Sequence, residues 1–151
     1  MVFNLSGFVC GGSLISNRFI LTAAHCLTIK GTSTPMENII DNPKSLARYG
    51  CIEDSFSCLW SRLDWYWIDP NFNAPPGFTL NDIALIRMSR FFQDANTFPT
   101  SVGTVCLPTQ RMPTSEWVTV TGWGGVRPQA NKNDDNQAVI LKEVGTFIPP
   151  I

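Results

Sequence analysis

Apolar segments in this chain are short, and turn residues interrupt them at near-even intervals. Ser13–Ser16, Arg18–Thr22, Leu46–Tyr49, Leu63–Ile68, Ile83–Ile86, Trp117–Thr121 and Ala138–Val144 carry strand signals. Thr34-Pro35, Asn42-Pro43, Pro75-Pro76-Gly77, Met112-Pro113 and the polar stretch Gln129–Asn136 separate them as loops. No long amphipathic helix is visible, and neither is an internal repeat. Segments this short bury a core by pairing antiparallel, so the chain reads as all-β and as a barrel. Alternation predicts Leu63, Trp65 and Trp67 on one face of a strand and Asp64, Tyr66 and Ile68 on the other. The continuous run Ile83–Ile86 predicts a strand buried on both sides, and the Trp65-Tyr66-Trp67 run reads as barrel packing.

Composition removes several function classes. The chain is 44% apolar with a net charge of −1, which does not describe a disordered polypeptide. Eleven basic against twelve acidic residues, with no basic run, exclude a nucleic-acid-binding surface of the usual kind. No stretch approaches the roughly 20 apolar residues of a membrane span. At 151 residues one domain is the length expectation, although β-barrel domains often run to about 200–250.

The five cysteines are Cys10, Cys26, Cys51, Cys58 and Cys106. With one histidine and no Cys-x-x-Cys pair, they do not form a zinc pattern, and no metal or cofactor is expected. Two disulfides and one leftover thiol is the better reading. The odd cysteine either bonds outside these residues or stays a thiol. The Met1–Phe8 segment lacks the basic start and long apolar core of a secretion signal. A disulfide-bearing chain without such a signal implies a longer protein that is truncated here.

The histidine lies in Leu21-Thr22-Ala23-Ala24-His25-Cys26, downstream of Cys10-Gly11-Gly12-Ser13-Leu14-Ile15. A second motif, Asn81-Asp82-Ile83-Ala84-Leu85-Ile86, follows. Together they resemble the trypsin/chymotrypsin-like serine proteases. Val105-Cys106-Leu107-Pro108 is similar to that family's inter-barrel linker. Val118 to Gly124 and Leu141 to Val144 resemble the first strands of its second barrel, so the likeness runs from about Val9 to Val144. The resemblance implies a chymotrypsin-like antiparallel double β-barrel. Residues 1–110 would supply the first barrel, short of part of its opening strand, and the linker. Residues 111–151 would begin an incomplete second barrel. It also implies His25 as the general base and Asp82 as the carboxylate that orients it. A Cys10–Cys26 disulfide and peptide-bond hydrolysis on protein substrates outside the cell follow from the same likeness. Cys51 and Cys58 are spaced as in an extra disulfide of arthropod clip-domain proteases, with two free thiols the alternative. In some family members the linker cysteine bonds an N-terminal segment, which would give Cys106 a partner.

The family's nucleophile occurs in a Gly-Asp-Ser-Gly-Gly segment, and these residues contain none. Ser13 is not a substitute, since its counterpart in the family is a strand residue. The chain departs from the family pattern after Val144, and an Ile-Val-Gly-Gly terminus is absent. The polypeptide is therefore expected to be inactive as written, a fragment of a serine endopeptidase. The alternatives are a non-catalytic homologue acting by binding and a splice or gene-model product without function. Asn4-Leu5-Ser6 is a glycosylation sequon. Glu53 and Asp54 fall where some relatives bind calcium, but two carboxylates are too few ligands, and a solvated loop is the better reading.

Overall fold

The computed structural model describes residues 2–5, 8–50, 59–75, 78–90, 102–110, 115–124 and 141–149. Cys51, Cys58, Glu53 and Asp54 lie outside the described residues. So do Ala138–Ile140, the start of the last predicted strand. The chain divides into two compact units, Met1–Gly50 with Ser57–Cys106, and Cys51–Phe56 with Leu107–Ile151.

The first unit holds seven strands: β1 (Val2–Leu5), β2 (Phe8–Gly11), β3 (Ser13–Leu14), β4 (Phe19–Thr22), β5 (Leu46–Tyr49), β6 (Leu59–Ile68) and β7 (Ala84–Met88). Every pairing is antiparallel, in the order β2-β1-β5-β6-β7-β4-β3. The two end strands of that order, β2 and β3, are separated in sequence by Gly12 alone. Residues two apart lie within about 7 Å of each other. The first and last strands must therefore meet, and the sheet curls into a barrel rather than lying open. β1 sits between β2 and β5, with Phe3 opposite both Cys10 and Ala47. Val2–Leu5, not assigned as a strand from the sequence, is paired on both sides. Polar Asn4 within Val2–Leu5 had hidden its strand character.

The barrel interior follows the period of two. Ile20 from β4, Ala47 from β5, and Ala84, Ile86 and Met88 from β7 are fully buried, together with Leu27 beyond β4. Burying Ile86 alone is worth roughly 1.5–3 kcal/mol. β7 alternates, with Leu85 and Arg87 on the outer face and Ile83 exposed before it. The expectation of burial on both sides is therefore corrected. A closed barrel encloses only one face of each strand, and the outer face of β7 is only partly covered.

β6 corrects a second expectation. Its register with β7 shifts between Leu63 and Trp65, pairing Leu63 with Met88 but Trp65 with Arg87. Asp64 is the extra residue, a β-bulge that reverses the facing of all that follows. Leu63 points inward, but beyond the bulge Tyr66 and Ile68 pack on the core, while Trp65 and Trp67 are 37% and 40% exposed. Simple alternation cannot anticipate such a flip. Asp64 holds it in place by accepting Arg18 Nη2 at 2.8 Å and Arg87 Nε at 2.7 Å. Arg18 also donates through Nε to the Met88 carbonyl at 2.8 Å. On the same outer face Phe19 meets Trp65 edge-on at 6.1 Å, and Arg87 lies 6.0 Å from the Trp65 ring.

In the second unit β8 (Glu116–Gly122) pairs with β9 (Lys142–Ile148) through seven residues. β9 runs through Gly145-Thr146-Phe147-Ile148, the stretch expected to leave the pattern. Trp117 and Phe147 face each other across it at 5.7 Å. Both strands remain apolar and open: Trp117 is 76% exposed and Val144 60%. A two-stranded sheet of this kind is marginal in water.

Because both arginines and Asp64 are partly solvated, the bridge is worth less than a buried one. Asp64→Asn is expected to lower stability by about 1 kcal/mol at neutral pH, with a smaller difference at high salt. Urea unfolding of the two proteins at low and high ionic strength measures it.

Candidate active site

His25 occupies the middle of a single 3₁₀ turn, Ala24–Cys26, that leaves the end of β4. The turn is closed by Cys26 N–H to Ala23 O at 3.2 Å and Leu27 N–H to Ala24 O at 2.9 Å. Its neighbours anchor it: Ala24 is fully buried and Cys26 is 4% exposed. The small side chains of Ala23 and Ala24 let the turn press against the barrel end. Cys26 is bonded to Cys10 of β2. Thr22, immediately upstream, donates its buried hydroxyl to Gly11 O at 2.9 Å. Between these anchors the His25 side chain stands 53% exposed.

Asp82 lies just before β7. Asn81 adopts φ 52°, a left-handed conformation that asparagine tolerates better than most residues. Its carbonyl accepts the Ile83 N–H at 2.8 Å, and its amide donates to Asn71 O at 3.0 Å. Asn73 and Leu80 exchange backbone bonds at 3.1 and 2.9 Å, and Asp69 N–H donates to Ile83 O at 3.2 Å. The bend that presents Asp82 is therefore braced against residues 69–73.

The two segments meet at the carboxylate. Asp82 Oδ1 accepts the His25 backbone N–H at 2.9 Å, and Oδ2 lies 2.7 Å from His25 Nδ1. Two contacts to one residue fix both the turn and the ring. A carboxylate at Nδ1 selects the tautomer with the proton on that nitrogen and leaves Nε2 as the basic lone pair. Among the described residues no nitrogen or oxygen bonds Nε2; its neighbour is the Cys26 sulfur at 3.7 Å. Partial burial tends to raise the Asp82 pKa. The His25 backbone N–H, its ring and the Ala24 N–H outweigh burial and hold the carboxyl below its ordinary value. Asp82 is thus held as an anion at neutral pH.

Cys10, His25 and Cys26 bring three ligand-type atoms within 4.8 Å of one another. Both sulfurs are spent in the disulfide and carry no thiolate, so the cluster offers no metal site as it stands. Cys106 is an exposed free thiol. Ser13 lies on β3 opposite Leu21, exposed, with no hydrogen bond to His25. Thr22 and the Asn81–Asn71 brace were not singled out from the sequence. The asparagine ahead of Asp82 is the one signal that pointed to the brace.

Residues 1–146 match the trypsin family. The chain is 32% identical over 142 residues to phenoloxidase-activating factor 3 of Holotrichia diomphalia, covering 89% of this chain and 39% of that protein. It is 30% identical over 148 residues to a venom serine protease of Polistes dominula, covering 94% and 47%. It is 33% identical over 130 residues to the CLIP domain-containing serine protease HP8 of Bombyx mori, covering 78% and 34%. The chain thus spans about a third to a half of the length of these relatives.

Since the folded-state pKa of Asp82 lies below its unfolded value, its ionisation stabilises the fold above about pH 4. That contribution is lost as pH falls through the folded-state pKa. Asp82→Asn is expected to be less stable at neutral pH and to show a shallower acid limb, measured by denaturation between pH 2 and pH 7. Asn81→Ala strains the left-handed bend and removes its side-chain brace, whereas Asn81→Gly removes only the brace. The alanine variant is therefore expected to be the less stable by about 1 kcal/mol.

Proposed function

Because this chain belongs to the trypsin family of serine proteases, we propose that it supplies the general base and its orienting carboxylate to peptide-bond hydrolysis by a Ser-His-Asp triad. The observation that carries this reading is the 2.7 Å contact between His25 Nδ1 and Asp82 Oδ2, doubled by the backbone bond at 2.9 Å. In this role His25 Nε2 takes the proton of the attacking serine hydroxyl and later returns it to the leaving amine. Asp82 holds the ring in register and stabilises the imidazolium formed in between.

The 151 residues contain no Gly-Asp-Ser-Gly-Gly segment, so the serine comes from outside them. The oxyanion donors that flank such a serine go with it. We therefore assign residues 1–110 to the first barrel and linker, and 111–151 to the start of the second. Alone, the chain forms no acyl-enzyme. Protein substrates are the class such a protease takes, and their sequence preference belongs to the pocket around that serine. An extracellular setting is supported by the Cys10–Cys26 disulfide and by the venom protein among the relatives. The exposed Cys106 thiol is suited to a disulfide with a segment outside these residues. The likeness to a CLIP domain-containing protease supports the arthropod clip-type branch of the family.

The purified 151-residue chain is expected to give no specific labelling by a serine-reactive fluorophosphonate. Labelling that disappears in His25→Ala would overturn that expectation. The unreduced intact mass of the protein made by its source decides its completeness. A mass well above 16.8 kDa supports the endopeptidase reading. A stable secreted species at 16.8 kDa favours a non-catalytic homologue that acts by binding.

A further inference from the structure

The turn that carries His25 also gathers a second set of donor atoms, two of them tied up in a covalent bond. Cys10 Sγ, Cys26 Sγ and a ring nitrogen of His25 lie within 4.8 Å of one another. Nε2 is 3.7 Å from Cys26 Sγ. Zinc binds thiolate at about 2.3 Å and imidazole at about 2.0–2.1 Å, so a tetrahedral centre sets sulfur and nitrogen roughly 3.5 Å apart. The spacing in this turn is close to that value.

Two further observations point the same way. A histidine that ligates zinc ordinarily gives its other ring N–H to a carboxylate, which fixes the ring and raises its basicity. His25 already has that partner: Asp82 Oδ2 lies 2.7 Å from Nδ1, and Oδ1 accepts the His25 backbone N–H at 2.9 Å. The lone pair on Nε2 is thereby left on the side of the sulfurs. The two cysteines also belong to different elements, Cys10 to β2 and Cys26 to the 3₁₀ turn, with Cα atoms 6.1 Å apart.

As a disulfide, neither sulfur is a thiolate ligand. A dithiol reductant changes that. It passes two electrons and two protons to the disulfide, leaving two cysteine thiols and becoming a disulfide itself. Zinc then displaces both thiol protons, and two thiolates balance its charge. We propose that the reduced chain binds one zinc ion through Cys10 Sγ, Cys26 Sγ and His25 Nε2, with Asp82 bracing the ring and water at the fourth position. Both cysteines are buried while the His25 side chain is 53% exposed, so ion and water enter from the histidine side. Two thiolates and an imidazole suit zinc, whereas calcium and magnesium take oxygen ligands.

The ion joins β2 to the histidine turn where the disulfide did. It also takes the Nε2 lone pair that the triad reading assigns to the serine proton, so the two states exclude each other. The site itself does not rest on that reading.

The full 151-residue chain carrying Cys51→Ser, Cys58→Ser and Cys106→Ser tests it. The chain is reduced with a phosphine, which leaves as its oxide, and titrated with Co²⁺ and then Zn²⁺. One equivalent of Co²⁺ is expected to give a thiolate charge-transfer band and the visible absorption of a tetrahedral centre, and Zn²⁺ to bleach both. The oxidised chain is expected to show neither. Cys26→Ser is expected to abolish uptake at one equivalent. His25→Ala and Asp82→Ala are each expected to weaken Zn²⁺ affinity by at least about tenfold. Where reduction alone unfolds the first unit, Zn²⁺ is expected to restore its strand signal in far-ultraviolet circular dichroism. Equal uptake by the oxidised chain, an affinity unchanged by His25→Ala or Asp82→Ala, or a reduced chain that takes up no metal would each overturn the proposal.

Discussion

Closure of the sheet where β2 turns into β3 is the constraint on which the first unit depends. One residue, Gly12, separates the two end strands of a seven-stranded order. Two further links hold the same seam, the Cys10–Cys26 disulfide and the Thr22 hydroxyl on Gly11 O. The disulfide closes a loop of 16 residues, a span for which the chain-entropy account gives about 3 kcal/mol. An open sheet would present bare edges at β2 and β3, whereas the seam brings them together. Because Cys26 follows His25 directly, the link that closes the barrel also fixes the histidine turn. Barrel integrity and the placement of His25 are thereby one property.

The carboxylate faces a compromise between solvation and direction. Asp82 is enclosed enough for burial to oppose its charge, yet charge-assisted bonds from His25 prevail. Hydrogen bonds to a charged group contribute roughly 1.5–3 kcal/mol each, so two of them comfortably offset a partial desolvation. The ring they hold is half exposed. Under the proposed role, that exposure leaves Nε2 open to a hydroxyl from outside these residues. The rigid element is the backbone on either side of the ring, not a cage around it.

Much of the site was legible from sequence because two short motifs resemble those of a known family. Through that resemblance, Ala-Ala-His-Cys and Asn-Asp-Ile-Ala implied the His25–Asp82 pair and the Cys10–Cys26 disulfide, and the structure shows both contacts. What escaped the sequence depends on pairing. The Asp64 bulge leaves no mark in alternation, since Leu63-Asp64-Trp65 reads as a regular strand until its register with β7 is known. The inward turn of Tyr66 and the outward turn of both tryptophans follow from that one inserted residue. β1 escaped for a related reason, because Asn4 breaks a run whose strand identity comes from its partners Val9 and Leu46.

The bulge also explains how one barrel presents two unlike surfaces. Before it, Ser61 and Leu63 face inward and Trp60 and Arg62 outward; after it, Tyr66 and Ile68 face inward. Without the extra residue, Trp65 and Trp67 would take the core positions, and volumes that large would overfill a barrel already closed around Ile20, Ile86 and Met88. Asp64 is suited to the bulge because a carboxylate there can bind Arg18 and Arg87 together, which no apolar residue could do. Those two arginines, one before β4 and one on β7, share that single carboxylate on the outer face.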